Sequence, residues 1–381
     1  MAELREKRPE VEVTISLIPC QFAGGNEAGI ARGFGADTVT APADFLRFLA
    51  TGHKPAAWRG EEGFVLSMGG NTGMALQLAQ RLRYPGYRYS FNPYWHRRLK
   101  RLFVHDRRAA RNARLLGAPG DRVEIIGNLV ADAVQRAAPV ARPGRPHVLL
   151  IPGSRDGFAL HLIPFMIALA DRLGALYPEA RFVWPVSRLL SSEVIRDGIA
   201  GREKATLGGA TGVRQYVNGR EVIATPSGHL LEMISEDERY AHMRSADLAV
   251  TIPGTNTLEL GIAGVPSVVV LPLNKPEAIP LEGPGHWLSL VPIVGTALKR
   301  QAVLLAAPHF PVALPNELSG EKLMLEITGK VGVARALDAV RSLLDHPEDL
   351  KRRRDRLGAT MPQPGAAKRL VSRIFEDLEG R

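Results

Sequence analysis

The chain has 381 residues, 45% hydrophobic and 23% charged, a normal balance for a globular protein and a length that predicts two domains. Its 49 Lys and Arg outnumber 39 Asp and Glu for a net charge of +10, while the sequence carries no nucleic-acid-binding signature. With no run of about 18 apolar residues and no signal-peptide pattern, a membrane-spanning or secreted protein is not expected; a single cysteine, Cys20, excludes an intrachain disulfide and a thiolate metal cluster.

In chain order, Met1 to Arg8 reads as a helix running straight into a first strand at Val11 to Ile18. A doubly wound domain normally opens with a strand and a glycine turn, so this start predicts that an earlier strand and loop are missing. Cys20 ends the apolar run and reads as a packed strand residue. Further strands are expected at Gly63 to Ser67, Leu102 to Val104 and Val123 to Ile126, with a helix at Thr72 to Leu82. Such alternation means a parallel sheet covered by helices. The aromatic and basic stretch Tyr84 to Arg98 reads either as a sugar or headgroup surface or as an ordinary packed loop and strand.

Residues 137 to 146, rich in Pro, Ala and Arg, read as an interdomain linker. The pattern then restarts with a strand at His147 to Ile151, a PGSRDG loop and a helix from about Leu160 to Tyr177. A strand RFVWPVS, an irregular stretch from Ser191 to Gly219 and a strand EVIATPS follow. From Gly332 onward the chain reads as charged helices with one apolar stripe.

The densest stretch is Asp247 to Val270, a βαβ unit. Its first strand ends at Thr251, Pro253-Gly254-Thr255 turns sharply, and Asn256 with Glu259 three residues later predicts a capping box. A helix N-terminus offers unpaired N–H groups and the positive end of the macrodipole, so a diphosphate fits there. The excess of arginine suits phosphate or anionic headgroups, although arginine spread over solvated faces accounts for the same composition.

Four segments in order, IPGSR (Ile151 to Arg155), ADLAVTIPGTNTLE (Ala246 to Glu259), GVPSVV (Gly264 to Val269) and ALPNELSG (Ala313 to Gly320), resemble motifs of the lipid-A-disaccharide synthase family of glycosyltransferases. GNLVADAV (Gly127 to Val134) is similar to a further family segment, and SFNPYW (Ser90 to Trp95) matches more loosely. The resemblance covers roughly residues 60 to 330. It implies an α/β protein of the GT-B class, two doubly wound Rossmann-like domains with a cleft between them. The implied boundaries are residues 1–140 for the acceptor side, 141–340 for the nucleotide-sugar side and 341–381 for helices packing back on the first domain.

The implied reaction is an inverting transfer of an N-acetylglucosamine-type sugar from a UDP-sugar to a glycolipid or saccharide, without metal or other cofactor. Gly153, Ser154, Arg155, Gly254, Thr255, Asn256 and Thr257 would face the diphosphate, and Glu259 the ribose. Asn316 either caps a helix or touches the donor, and His229 is expected at a strand end facing it. A reducing cytoplasm fits the single cysteine and the lack of a span or signal pattern; the basic charge allows peripheral contact with an anionic inner membrane, where each Lys or Arg contributes about 1 kcal/mol, and the resemblance suggests such contact and a possible homodimer.

The chain departs from the family in two places. Asn71 stands where the family's acid aligns, and an amide is no base at neutral pH; Glu27, His96, His105 and Asp106 are the alternatives, His105-Asp106 the most attractive because imidazole titrates near neutrality. In LEITG, Glu326 is kept but the family's proline and glutamine are lost. A nucleotide-sugar epimerase of the same architecture and a binding protein without turnover therefore stay as alternatives.

Overall fold

The computed structural model describes residues 1–19, 27–56, 58, 60–92, 94–141, 144–274 and 311–380. Cys20 lies outside them. The chain forms two compact units, Met1–Asp132 with Pro362–Arg381, and Ala133–Met361, so it passes between them twice.

In the first unit, β1 (Thr14–Ser16) pairs in parallel with β2 (Thr38–Thr40). A helix, Ala2–Lys7, precedes β1, and another, Glu27–Arg32, follows it; residues 20–26 between them lie outside the described residues. A four-stranded parallel sheet runs β3 (Val65–Met68), β4 (Gly86–Tyr89), β5 (Leu99–Val104), β6 (Val123–Ile125). The helix Thr72–Leu82 forms over the expected span and ends on Arg83 in the left-handed region, φ 58°. Strand alternation sorts β4: Gly86 lets Leu76 and Ala79 of that helix approach, a Cβ there standing 3.2 Å from Leu76 Cδ2, whereas Tyr87 and Tyr89 face the other side.

That other side is covered by the helix Ala366–Glu379, whose Leu370 and Ile374 pack with Tyr87, Phe103 and Ile126. Polar contacts fix the docking. Asp132, from the GNLVADAV segment, accepts from the N–H groups of Gly365 (2.5 Å) and Ala367 (3.0 Å) at the start of this helix. Arg369 Nε donates to the Ile126 carbonyl at 2.7 Å. Arg101 of β5 grips Asp377 with two bonds of 2.9 and 2.7 Å, both side chains at most 10% exposed.

The second unit holds eight strands: β7 (His147–Leu150), β8 (Arg181–Val186), β9 (Val213–Val217), β10 (Arg220–Ala224), β11 (Leu230–Ser235), β12 (Leu248–Thr251), β13 (Ser267–Pro272) and β14 (Leu325–Gly329). Their order is β14-β13-β12-β7-β8-β11-β10-β9, parallel except where β10 meets β9 and β11. Continuous apolar strands such as β7 and β12 are buried at every position, as parallel strands covered on both faces require.

Two expectations fail here. Residues 191 to 219 are not irregular: Ser191 caps a helix, Ser192–Ile199, and Val213–Val217 joins β10 through Asn218-Gly219, both at positive φ, a two-residue hairpin turn. The helix Asp156–Leu176, starting earlier than expected, is long and apolar enough to cross a membrane by length and composition; 67% of its most apolar window is buried against the unit's own core.

Candidate functional site

In the second unit β7 and β12 are neighbours, with β8 beyond β7 and β13 beyond β12. Connections leave this pair in opposite directions, so the loops at its carboxyl ends splay apart, which is where open α/β sheets take ligands. The IPGSR and IPGT loops stand at this point and touch: a Cβ on Gly153, at φ +100°, would lie 2.6 Å from Ile252 Cδ1. Arg155 is exposed and extended at the N-cap of the long helix, with Ser154 half-buried beside it.

The helix after β12 is Thr255–Ile262, and its N-cap, two residues earlier than expected, is Gly254 at φ 134°, ψ −166°, with no side-chain cap. The expected capping box is absent: Asn256 lies inside the first turn. Gly254 and Thr255 are exposed and nothing lies within 4 Å of a Cβ on Gly254, so the cap position is open, while Thr257 N–H is taken by the Gly254 carbonyl at 3.1 Å. Thr257 is a correction. It is fully buried, its hydroxyl donating to the Gly254 carbonyl at 2.8 Å and accepting from Leu314 N–H at 3.1 Å, so its side chain fastens the loop from beneath.

Glu259, freed from capping, is 8% exposed. Its Oε1 accepts from the Tyr240 hydroxyl at 2.8 Å and Arg239 Nη2 at 3.3 Å. Arg239 also pairs with Glu236 at 2.9 Å and lies over the Tyr240 ring, 4.3 Å from its centroid. Burial, then the Glu259 charge, push the Tyr240 phenol up to about 12. Burial works against the Arg239 charge, but Glu259 and its other neighbours hold its pKa above the ordinary value. Sequence reasoning missed Arg239 and Tyr240: they stand 20 and 19 residues from Glu259, and only the fold brings them together.

Two further residues change role. Asn316 is 5% exposed, with Nδ2 donating to the Met324 carbonyl and Glu326 Oε1 at 2.9 and 2.8 Å, and Oδ1 accepting from Met324 N–H at 2.8 Å. It neither caps nor reaches outward, and Glu326 is held in the same network by Val312 and Ala313 N–H. His229 precedes β11, which runs parallel to β8, so it sits at the amino edge of the sheet. Its ring lies 2.3 Å from where a Cβ on Gly174 would stand, about 27 Å along the long helix from that helix's first residue at about 1.5 Å per residue.

In the first unit, Asn71 follows β3 and His105-Asp106 follows β5, all on the carboxyl edge but two strands apart, about 10 Å. Asn71 Oδ1 accepts from Gly73 N–H at 2.9 Å and Met74 N–H at 3.3 Å, so the amide caps the Thr72–Leu82 helix. Asp106 Oδ1 likewise caps the helix Arg107–Leu115 through Ala109 N–H at 2.7 Å. His105 Nε2 is 3.5 Å from Asp106 and its ring is 4.7 Å from Phe91. Burial pushes the imidazole below its ordinary value, with Asp106 opposing, which leaves it neutral at pH 7. His96 lies just ahead of β5, its Nδ1 taken by Arg98 N–H at 3.1 Å, on the opposite edge; Glu27 opens the helix Glu27–Arg32. Among the described residues no three His, Cys, Asp or Glu side chains gather as metal ligands.

Sequence reasoning also passed over Arg88, an inward-facing charge on β4. It is 5% exposed, with Nη1 donating to the Thr72 hydroxyl and, at 3.5 Å, to the Tyr94 carbonyl, and Nη2 to Ser90 Oγ at 3.0 Å.

This arrangement defines an α/β protein of the GT-B class. Solved structures share the fold along nearly the whole chain: a UDP-N-acetylglucosamine 2-epimerase at TM-score 0.57 and 13% identity, covering 100% of this chain and 93% of that one, and the Neisseria meningitidis enzyme bound to UDP-GlcNAc at TM-score 0.53 and 14% identity, covering 99% and 96%. By sequence the chain is similar to lipid-A-disaccharide synthases, the family its motifs resemble. It is similar to that of Geobacter sulfurreducens, 30% identical over 159 residues (40% of this chain, 35% of the relative), and to that of Geobacter metallireducens, 25% identical over 275 residues (68% and 58%). The chain thus spans between about a third and three-fifths of the length of these relatives. No family model matches it.

Proposed function

We propose that the chain is an inverting glycosyltransferase that moves an N-acetylglucosamine-type sugar from a UDP-sugar to a glycolipid or saccharide, at the cytoplasmic face of a membrane. The observation that supports this most is the pair of glycine loops at the β7/β12 switch point, with an uncapped, exposed helix N-terminus and Arg155 beside it. The donor diphosphate lies against the N–H groups of Thr255 and Asn256 and the Arg155 guanidinium, which stabilise charge on the leaving group without a cation. Glu259, aimed by Tyr240 and Arg239, accepts from the ribose. Titration with UDP, UDP-N-acetylglucosamine and GDP tests the donor class; selectivity for UDP supports it, and no nucleotide binding overturns it.

Gly254→Val probes the loop itself. A β-branched residue cannot hold φ 134° without strain of order 1–3 kcal/mol, and the first turn has to move. UDP affinity should fall at least tenfold, read by calorimetry, while the core strands stay folded. Retained affinity would separate UDP binding from this loop.

His105 is the base in this reading. The attacking hydroxyl passes its proton to the neutral imidazole, and Asp106 steadies the imidazolium. Because burial depresses its pKa, activity should hold through pH 6.5 and fall only as pH drops below it. His105→Gln should lower kcat by about 10²-fold or more, within the range for a general base. A nucleotide-sugar binder without transfer is favoured by one observation, that Asn71 is committed to capping. Aspartate caps as well as asparagine, so Asn71→Asp keeps the helix; turnover that rises in it while His105→Gln has no effect would assign the base to position 71.

A further inference from the structure

We propose that β9 is a self-complementary sheet edge that joins two copies of this chain, with Gln215 on the two-fold axis. This goes beyond the transfer reading and does not depend on it. β9 ends the eight-stranded sheet, and four of its five residues are exposed, Val213 by 66% and Tyr216 by 72%. Among the described residues none of the usual guards of an edge stands there. The β9/β10 register runs unbroken from Val213–Ala224 to Val217–Arg220, so no bulge turns the edge away. The strand holds no proline, and its one charge, Arg214, is already paired with Glu221 of β10. The opposite edge is dressed: no β14 residue is exposed, and Arg335 Nη1 donates to the Thr328 carbonyl at 3.0 Å.

Strand phase decides which groups the edge offers. Val217 and Arg220 flank the two-residue turn Asn218-Gly219 and so exchange both of their main-chain bonds. Alternation then turns Gln215 and Val213 toward β10 as well, and leaves the N–H and C=O of Arg214 and Tyr216 facing outward. Among the described residues no main-chain bond from outside the hairpin reaches either of them.

A second copy fits these groups in one register. An antiparallel two-fold through Gln215 sets Arg214 opposite the partner's Tyr216, and each such pair exchanges both N–H···O bonds. It also lays a guanidinium beside a phenol ring, a cation–π pairing, and brings Val217 to the partner's Val213 on the other face. Centred on Arg214, the axis would set like charges face to face, which is destabilising; centred on Tyr216, it would set Arg214 against the turn at the partner's Asn218. Val213 stands in line with Ala224 and Leu230 across the sheet, and Leu230 is 40% exposed. The partner's Val217 therefore extends an apolar stripe that faces water in the single chain. An edge this short makes a small interface, and the association is reversible.

The test is sedimentation velocity of the full chain over a dilution series. A reversible dimer is the expected result, roughly tenfold weaker or more in Tyr216→Pro, where the ring removes an N–H that faces out of the hairpin. Tyr216→Lys, at an exposed position, sets like charge against the partner's Arg214 and should weaken the dimer similarly even if the proline variant does not fold. Oxidative cross-linking in a Cys20→Ser background reads the register. In Gln215→Cys the two thiols share a pair whose Cα atoms are about 4.5 Å apart, inside disulfide range, whereas in Arg214→Cys and Tyr216→Cys they stand about 7–8 Å apart. Disulfide dimers should therefore form at position 215 and not at 214 or 216. A monomer at every concentration, or growth beyond a dimer, overturns the proposal, because a two-fold edge closes on itself. Association in both Tyr216 variants equal to that of the native chain, or cross-linking no stronger at 215 than at its neighbours, also overturns it.

Discussion

Glu259→Ala should weaken UDP binding by about 1–3 kcal/mol, roughly five- to 150-fold, if a buried hydrogen bond to the ribose is lost. It should also lower the unfolding free energy by about 2–3 kcal/mol. That is somewhat less than the about 3–5 kcal/mol seen when one partner of a fully buried pair is removed, because Arg239 is 27% exposed and keeps Glu236. The variant leaves the Tyr240 hydroxyl without its acceptor and Arg239 Nη2 with the Tyr240 oxygen alone. Glu259→Gln retains an oxygen for Tyr240 and separates the two effects. Urea midpoints and UDP titrations on both variants give the answer: lower stability with unchanged UDP affinity in the alanine variant would confine Glu259 to a structural role.

Asp377→Ala should be the more destabilising change, by about 3–5 kcal/mol, since it strands Arg101 at 10% exposure on β5. Arg101 would keep only the Asp121 carbonyl at 2.7 Å and the more distant Glu124 at 3.6 Å. The pH dependence has a definite sign. Burial pushes the Asp377 carboxyl up, but the Arg101 bonds and charge outweigh it and hold the pKa below 3.8. A carboxyl depressed in the folded state binds fewer protons there, so its contribution is present above about pH 4 and is lost as pH falls through the folded value. Acid unfolding of the native chain should therefore steepen below about pH 4, and Asp377→Ala should flatten that slope. An unchanged urea midpoint at pH 7 would remove this pair from the stability of the unit.

How legible these features were depends on whether local chemistry or distant contacts decide them. Thr72–Leu82 was readable to the residue, because Asn71 caps it and its apolar period is clean. β5 extends back to Leu99, further than its apolar run, because Lys100 and Arg101 broke the pattern while Arg101 is buried through an acid 276 residues away. The Asn218-Gly219 hairpin carried a local signal that the small residues around it hid. In the candidate site, the glycine loops were legible because positive φ selects glycine. The side chains of Thr257 and Asn316 were not: both are polar residues in a donor-like motif, and only burial shows that they serve the backbone. His229 failed for a topological reason, since a histidine before a strand and one after it read alike in sequence but stand at opposite edges.

The return of the helix Ala366–Glu379 to the first unit has a consequence for biogenesis. Until those residues leave the ribosome, the apolar face formed by Tyr87, Phe103 and Ile126 has no cover and Arg101 has no Asp377. The second unit, a continuous segment, can finish first during synthesis. The usual order, in which domains fold in the order they emerge, is thereby inverted for these two units: the one whose synthesis starts first is the second to become native, and its half-built sheet stays exposed in the meantime.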